Sequence, residues 1–385
     1  MSVTLASGFR AAGVAAGLKA SGALDVAVVV NDGPSAAAAG VVTGNRIKAA
    51  PVQWTQQVLA GGRVRAVLLN SGGANACTGP AGFADTHRSA EHLAERLQIG
   101  AGEVAVCSTG LIGHRLPMPQ LLTGATRAVE AITGGPGAGA LAADAIRTTD
   151  TVAKQAGRRI GDWSIGGMAK GAGMLAPGLA TMLCVITTDA VVTAAGLDSA
   201  LRAAVATTFN RIDSDGCMST NDTVLLLASG ASGVTPPAAH FEPAVYAVCA
   251  DLAAQLLADA EGATKEVAVE VVAADGEGDA LEVARAVARS NLLKCALFGN
   301  DPNWGRVLAA VGTTGAAFEP DDIDVIINGV AVCRAGAAAA PSGDVDLSGR
   351  TVHIRIDLHA GDSSATVHTN DLSVTYVHEN SAYAS

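Results

Sequence analysis

Short aliphatic runs alternate with alanine-rich stretches along most of this chain, which restricts it to a fold of buried strands covered by closely packed helices. Residues 26–30, 65–69 and 104–107 read as buried strands. Residues 83–97 read as an amphipathic helix with His87, Arg88, Glu91 and Glu95 on its wet side. Residues 134–140, GGPGAGA, predict a flexible surface loop. Further on, residues 181–188 and 223–228 predict strands, with a helix over 199–209 between them. A long helix is expected over 244–260, a strand over 267–272 and a helix over 281–290. The end is β-rich: residues 324–327 and 330–333 flank Asn328-Gly329, a two-residue hairpin signal. Residues 352–358 alternate, with Val352, Ile354, Ile356 and Leu358 on one face and His353, Arg355 and Asp357 on the other, as in a strand with one wet face. No repeat of 20–50 residues is visible. The pattern gives a mixed α/β class, with strands too irregularly spaced to identify a doubly wound parallel sheet.

Composition narrows the function classes. The chain has 385 residues, of which 49% are hydrophobic and only 3% aromatic, so a sizeable core must come from aliphatic strands and small-residue helix contacts. With 36 acids against 25 bases the net charge is −11, which disfavours binding to a nucleic-acid backbone. Seven cysteines are scattered without a CxxC pair, and most have apolar neighbours in sequence; this fits a reducing compartment rather than a disulfide framework or a zinc site. The eight histidines lack metal-ligand spacing. The N-terminus has no charged start followed by an apolar stretch, and no apolar run reaches 18 residues. A cytoplasmic protein without a membrane span is expected.

The stretch with most chemical content is KGAGMLAPGLATMLCVITTD, residues 170–189. It places Thr181 where a loop containing Gly171, Gly173, Pro177 and Gly178 runs into a strand containing Met182, Leu183, Val185 and Ile186. A threonine there suits a strand start simply because it is β-branched. Its hydroxyl can also attack the carbonyl of Ala180 through a five-membered ring, shifting the acyl group from nitrogen to oxygen, after which water releases the ester. Thr181 would then be a new N-terminal residue. Its α-amine, with a pKa of about 7.7–8.0, could act as base for its own hydroxyl.

The chain resembles the ornithine acetyltransferase (ArgJ) family over nearly its whole length. The resemblance runs from GFRAAGVAAGLK (8–19) to ENSAYAS (379–385). Between them lie NSGGANACTG (70–79), CSTGLIG (107–113), TTD (148–150), STNDTVLLLASG (219–230), AEGATK (260–265) and FGNDPNWGRVLAA (298–310), in one order. It implies an αββα sandwich of two stacked β-sheets covered by helices, DmpA/ArgJ-like and similar to N-terminal-nucleophile enzymes. It further implies cleavage between Ala180 and Thr181, so that residues 1–180 and 181–385 become associated alpha and beta chains, two of each in a heterotetramer.

Site residues follow residue by residue. A strand ending in Ser108-Thr109-Gly110 can expose backbone N–H groups or merely turn into a loop; the resemblance makes Thr109 and Gly110 the oxyanion pair, one by hydroxyl and one by N–H. Lys170, eleven residues before Thr181, is otherwise an ordinary lysine; the resemblance makes it a substrate contact. Thr148 maps to a substrate-binding position, although a threonine there also suits a helix cap, as Thr149 and Asp150 do. Glu261 is expected just past a long helix, where a carboxylate opposes the helix dipole, and the resemblance has it bind substrate. Asn380 and Ser385 match substrate contacts too, which requires the small, polar tail to be tied down rather than frayed. Asn75 and Cys77 are placed in a turn near the oxyanion loop, 300–306 in a loop near the site with Trp304 as a packing anchor, and Cys107 is read as a buried structural thiol.

The activity implied is glutamate N-acetyltransfer. Thr181 takes acetyl from N2-acetyl-L-ornithine, and L-glutamate then takes it from the enzyme in a ping-pong cycle of arginine biosynthesis, with no metal or cofactor. Some members of the family also use acetyl-CoA, as amino-acid N-acetyltransferases. Two alternatives stand beside this: a self-processing N-terminal-nucleophile aminopeptidase or amidohydrolase, and an uncleaved small-molecule binding protein.

Overall fold

A computed structural model describes residues 1–176 and 182–382. Its centre is a pair of sheets. The first has the order β1–β2–β4–β5, from β1 (Phe9–Val14), β2 (Val26–Asn31), β4 (Ala66–Asn70) and β5 (Val104–Ser108). The second has the order β3–β9–β8–β7–β6, from β3 (Ala37–Val42), β9 (Thr223–Ala228), β8 (Leu183–Thr188), β7 (Trp163–Lys170) and β6 (Lys154–Ile160).

The inner strands of the second sheet, β7, β8 and β9, are buried on both faces, and β8 and β9 accordingly read as continuous aliphatic runs. Leu183, Val185, Leu225 and Leu227 point inward and share one core with Val29, Val67 and Ala105 of the first sheet. Cys184, Ile186, Val224 and Leu226 point outward into a second core. Their partners there come from α5 (Ala194–Thr207) and α6 (Ala238–Ala258). On the far side of the first sheet lie α2 (Gly79–Leu97) and α3 (Met118–Ala131); α4 (Pro136–Ala145) packs on the opposite face of β1 and also meets β6 and β7, while α1 (Ala50–Leu59) packs on β5. Layers of helix, sheet, sheet and helix result, as expected. The α6 helix is long and apolar enough to span a membrane, but half of it is buried against the second sheet.

A third sheet has its own core. Its order is β13–β12–β11–β14–β10–β15. The strands are β10 (Glu266–Ala274), β11 (Asp324–Ile327), β12 (Val330–Arg334), β13 (Ala337–Ala338), β14 (Thr351–Asp357) and β15 (Ser363–Asn370). Helices α7 (Glu277–Ala288), α8 (Asn291–Phe298) and α9 (Trp304–Val311) cover one face. The hairpin at Asn328-Gly329 forms as expected, both residues having positive φ (46° and 84°). The other face of β14 is wet, with His353 and Arg355 exposed. Asn370 ties this unit to the rest, its side-chain amide donating to the carbonyls of Leu257 and Lys265 (3.2 and 2.9 Å).

One expectation is corrected. Residues 136–145 form a helix, not a loop. Pro136 sits in its first turn with φ already suited to a helix, and the alanines that follow favour it. The small residues let this helix lie so close to β1 that a Cβ on Gly13 would come within 2.1 Å of the Leu141 carbonyl. The tail, which the site residues require to be tied down, is helical over α10 (Val374–Ala382).

Candidate active site

The site lies where the end of β5, the end of β7 and the segment after α6 converge. β5 is fixed from α1: the Thr55 hydroxyl donates to the Val106 carbonyl (2.7 Å) and accepts its N–H (2.9 Å). Beyond β5, the Thr109 N–H is used by the Asn70 carbonyl (3.0 Å), which leaves its hydroxyl as the available group. Gly110 has φ 132° and passes so close to the 72–73 turn that a Cβ would meet the Gly73 nitrogen at 2.8 Å. Only glycine fits, and its N–H donates to no described residue. Asn75 and Cys77, both with positive φ, form the neighbouring turn. Asn221 braces the arrangement, donating to the carbonyls of Ala74 and Ser108 (2.7 and 2.8 Å).

Lys170 closes β7 with only 1% of its surface exposed. Its ammonium donates to the Thr109 hydroxyl (3.4 Å) and lies 4.0 Å from Asp150. Burial drives the pKa of this lysine down, and the charge of Asp150 opposes the shift. Burial likewise pushes the Asp150 carboxyl up, but Lys170 and Lys154, with hydrogen bonds from Lys154 and the Gly171 N–H (both 2.6 Å), outweigh it and hold the carboxyl at about 2. Lys154 also donates to Asp259 (2.5 Å), completing a buried row of alternating charges.

Glu261 follows α6 and forms the opposite wall. Its N–H donates to the Ala172 carbonyl (2.9 Å), and its carboxylate accepts from the Thr149 hydroxyl (2.7 Å) and the Asn380 amide (3.0 Å). Gly173 lies against that carboxylate, which a Cβ would approach to 2.6 Å. A cavity of 310 Å³ opens beside it, lined partly by Thr149, Thr151, Asp259 and Glu379; this is at the small end of ligand sites. A larger cavity, 580 Å³, lies along the open edge of β3 and contains none of the expected site residues.

Thr109, Gly110 and Lys170 are thus brought together, Glu261 is joined to Asn380, and the 148–150 and 171–173 segments lie between the two groups. Thr148 is adjacent, but only its backbone takes part, donating to Asp150 (3.0 Å); Thr149 is the residue whose side chain reaches Glu261. A strand, not a helix, follows, so neither threonine is a cap. Ala180, Thr181 and Ser385 lie outside the described residues. Cys107 is buried, its thiol pushed up to about 12 by burial. Trp304 packs on the third core, and the bonds of the 300–306 segment run to α8.

Sequence reasoning missed Asp150 as a buried anion, together with Lys154, Asp259 and Asp222. Asp222 is fully buried, and its carboxyl is raised well above the usual range by that burial. One of its oxygens accepts the Met182 N–H (2.9 Å); the other makes no bond to a described residue. Its position within STND, residues 219–222, was the available signal. Among the described residues no cluster of His, Cys, Asp or Glu could hold a metal ion.

Buried donors facing a carboxylate wall define a site that can hold an amino acid and stabilise charge on an acyl oxygen. The ArgJ family model matches residues 10–385. Arginine biosynthesis bifunctional protein ArgJ of Streptomyces avermitilis is 63% identical, over the full length of both chains. Among solved structures, ornithine acetyltransferase complexed with ornithine, from Mycobacterium tuberculosis, is 63% identical, covering 47% of this chain and 96% of that one with a TM-score of 0.46. ArgJ of Bacillus halodurans is 35% identical, covering 51% and 97%, with a TM-score of 0.48. With these matches the chain is an acyltransferase acting in arginine biosynthesis. The chain belongs to the ArgJ family.

Proposed function

We propose that this enzyme moves acetyl from N2-acetyl-L-ornithine to L-glutamate through an acetyl ester on Thr181, after cutting its own chain between Ala180 and Thr181. The Thr181 hydroxyl attacks the acetyl carbonyl while its α-amine takes the hydroxyl proton; the carbon–nitrogen bond breaks, ornithine leaves with that proton, and glutamate attacks the ester in turn. The Thr109 hydroxyl and the Gly110 N–H hold the oxyanion. Lys170, Thr148, Glu261, Asn380 and Ser385 bind the amino-acid part, with Lys170 suited to a carboxylate and Glu261 to an amine.

The observation that carries this reading is the contact of the Lys170 ammonium with Thr109, beside an N–H that no described residue uses. It joins a cation to oxyanion donors at the end of the strand that leads towards Thr181. The cut is compatible with the fold. β7 and β8 flank it and pair over six residues each, from Ile165↔Thr188 to Lys170↔Leu183, while β3 and β9 pair across the same two fragments. The fragments therefore stay joined, and two of each assemble in the cytoplasm, where seven free cysteines are at home. Acetyl-CoA enters as a second donor to the same threonine.

Denaturing electrophoresis should give fragments of 180 and 205 residues (385 − 180 = 205). Mass spectrometry after brief exposure to N-acetylornithine should find one acetyl group on the 181–385 fragment. Ornithine release that needs glutamate identifies a transferase, and release into water alone identifies a hydrolase. A single full-length band from active protein would overturn the mechanism. Acetylation of the same fragment by acetyl-CoA tests the second donor.

A further inference from the structure

We infer that Asp150 is a positioning residue that acts through Lys170: it keeps the lysine an ammonium, and the ammonium keeps the Thr109 hydroxyl aimed as a donor at the reacting acyl oxygen. The inference rests on the oxyanion role proposed for Thr109.

An ammonium has three protons to give and no lone pair. When it donates to the Thr109 oxygen at 3.4 Å, the hydroxyl proton must point elsewhere and is free to donate. A neutral amine has a lone pair. It would accept that proton, turn the hydroxyl round and remove a donor from the oxyanion. The charge on Lys170 therefore decides which way Thr109 points.

The groups facing Lys170 are Asp150 before β6, Lys154 on β6, Asp222 before β9 and Glu261 after α6, with Lys19 after β1 a further cation that opposes its charge. Lys154 opposes its charge. Burial raises the Asp222 carboxyl well above the usual range, which weakens its hold on Lys170, and Glu261 is engaged by Thr149 and Asn380. Asp150 is the one carboxylate among described residues within ion-pair distance, at 4.0 Å. It is held there from three sides. Its Oδ1 accepts from Lys154 and Gly171 (both 2.6 Å), and its Oδ2 accepts from Thr148 (3.0 Å). Lys154 is itself anchored on Asp259, to which the Thr151 hydroxyl also donates. A carboxylate so fully occupied cannot swing towards substrate; what it offers the site is its field on Lys170.

The test is the ratio of kcat for D150N to that of wild type, measured with N-acetylornithine and glutamate from about pH 6 to about pH 9. Taking the ratio cancels the titration of the Thr181 amine. Without Asp150, burial and Lys154 both favour the neutral amine, so the ratio should fall as pH rises, approaching about tenfold per pH unit. In D150N/K170R the guanidinium stays charged and the slope should vanish. D150E, which keeps the carboxylate, should give a level ratio. D150S, which can still accept the Gly171 N–H, replaces D150N should the latter not fold, and a variant recovered uncut is read by the same pH series on its rate of splitting. A loss equal at every pH, or a slope that survives in D150N/K170R, overturns the inference. Wild type that transfers no acetyl overturns the functional reading instead.

Discussion

Replacing Thr109 by valine removes one hydroxyl and keeps the shape of a residue that is 3% exposed. The backbone is secured independently, with its N–H on the Asn70 carbonyl and its carbonyl accepting the Gly73 N–H (both 3.0 Å), so the loop should hold its course. What the fold loses is the contact with Lys170, which at 3.4 Å is long for a hydrogen bond and worth about 1 kcal/mol or less. What catalysis loses is an oxyanion donor, worth about 2.7–4 kcal/mol, or about a hundred- to a thousandfold in kcat. The catalytic effect should therefore far exceed the structural one. Ornithine release under saturating N-acetylornithine should slow by that factor with KM changed by less than about threefold, because the donor is engaged only once charge develops on the oxygen. The melting temperature should fall by only a few degrees. Splitting of the T109V chain should slow in parallel, since the same oxygen type must be held. A kcat within about threefold of wild type, or a loss confined to KM, would refute the assignment of Thr109.

Asn380→Ala frees the Glu261 carboxylate on one side and should raise KM for N-acetylornithine several-fold at unchanged kcat; equal loss in both would show that the tail does more than shape the binding wall. Gly173→Ala brings a methyl to 2.6 Å from the same carboxylate and should likewise raise KM, with little change in melting temperature. Leu225→Ala opens a cavity between the two central sheets and should cost about 2–5 kcal/mol in denaturant unfolding. Asp150, held at about 2 when folded against an ordinary value of 3.8, contributes stability that is present above about pH 4 and is lost as pH falls towards 2; denaturation midpoints of wild type should decline through that window, and those of D150N should decline less.

Sequence alone revealed the elements whose pattern is set locally. β8 and β9 are continuous aliphatic runs bounded by turn residues, and the Asn328-Gly329 hairpin carries its own turn chemistry. β3, with the sequence AAAGVV, has little strand character of its own and is a strand because β9 pairs with it along its whole length. The 134–140 stretch misled because its glycines were given more weight than Pro136 and the alanines that continue the helix beyond it. In the site, the motifs carried by the family resemblance led to Thr109, Lys170, Glu261 and Asn380. The choice between Thr148 and Thr149 was out of reach, since it depends on which way one residue of an irregular segment faces. The charge row was equally hidden: Lys154 meets Asp259 across 105 residues, and no local pattern records that.

The second sheet takes β3, β6 and β7 from one side of the 180–181 bond and β8 and β9 from the other. Under the proposed cut, the polypeptide must complete this sheet before it is severed, because either portion alone would present bare strand edges and an uncovered aliphatic face. A molecule severed as proposed cannot return by the route it came. Renaturing it requires two separate pieces to meet, so recovery after denaturation becomes second order and depends on dilution, whereas the unsevered form recovers at any concentration that avoids clumping. The proposed maturation would thus act as a ratchet, converting a chain that can refold repeatedly into an assembly that is folded once.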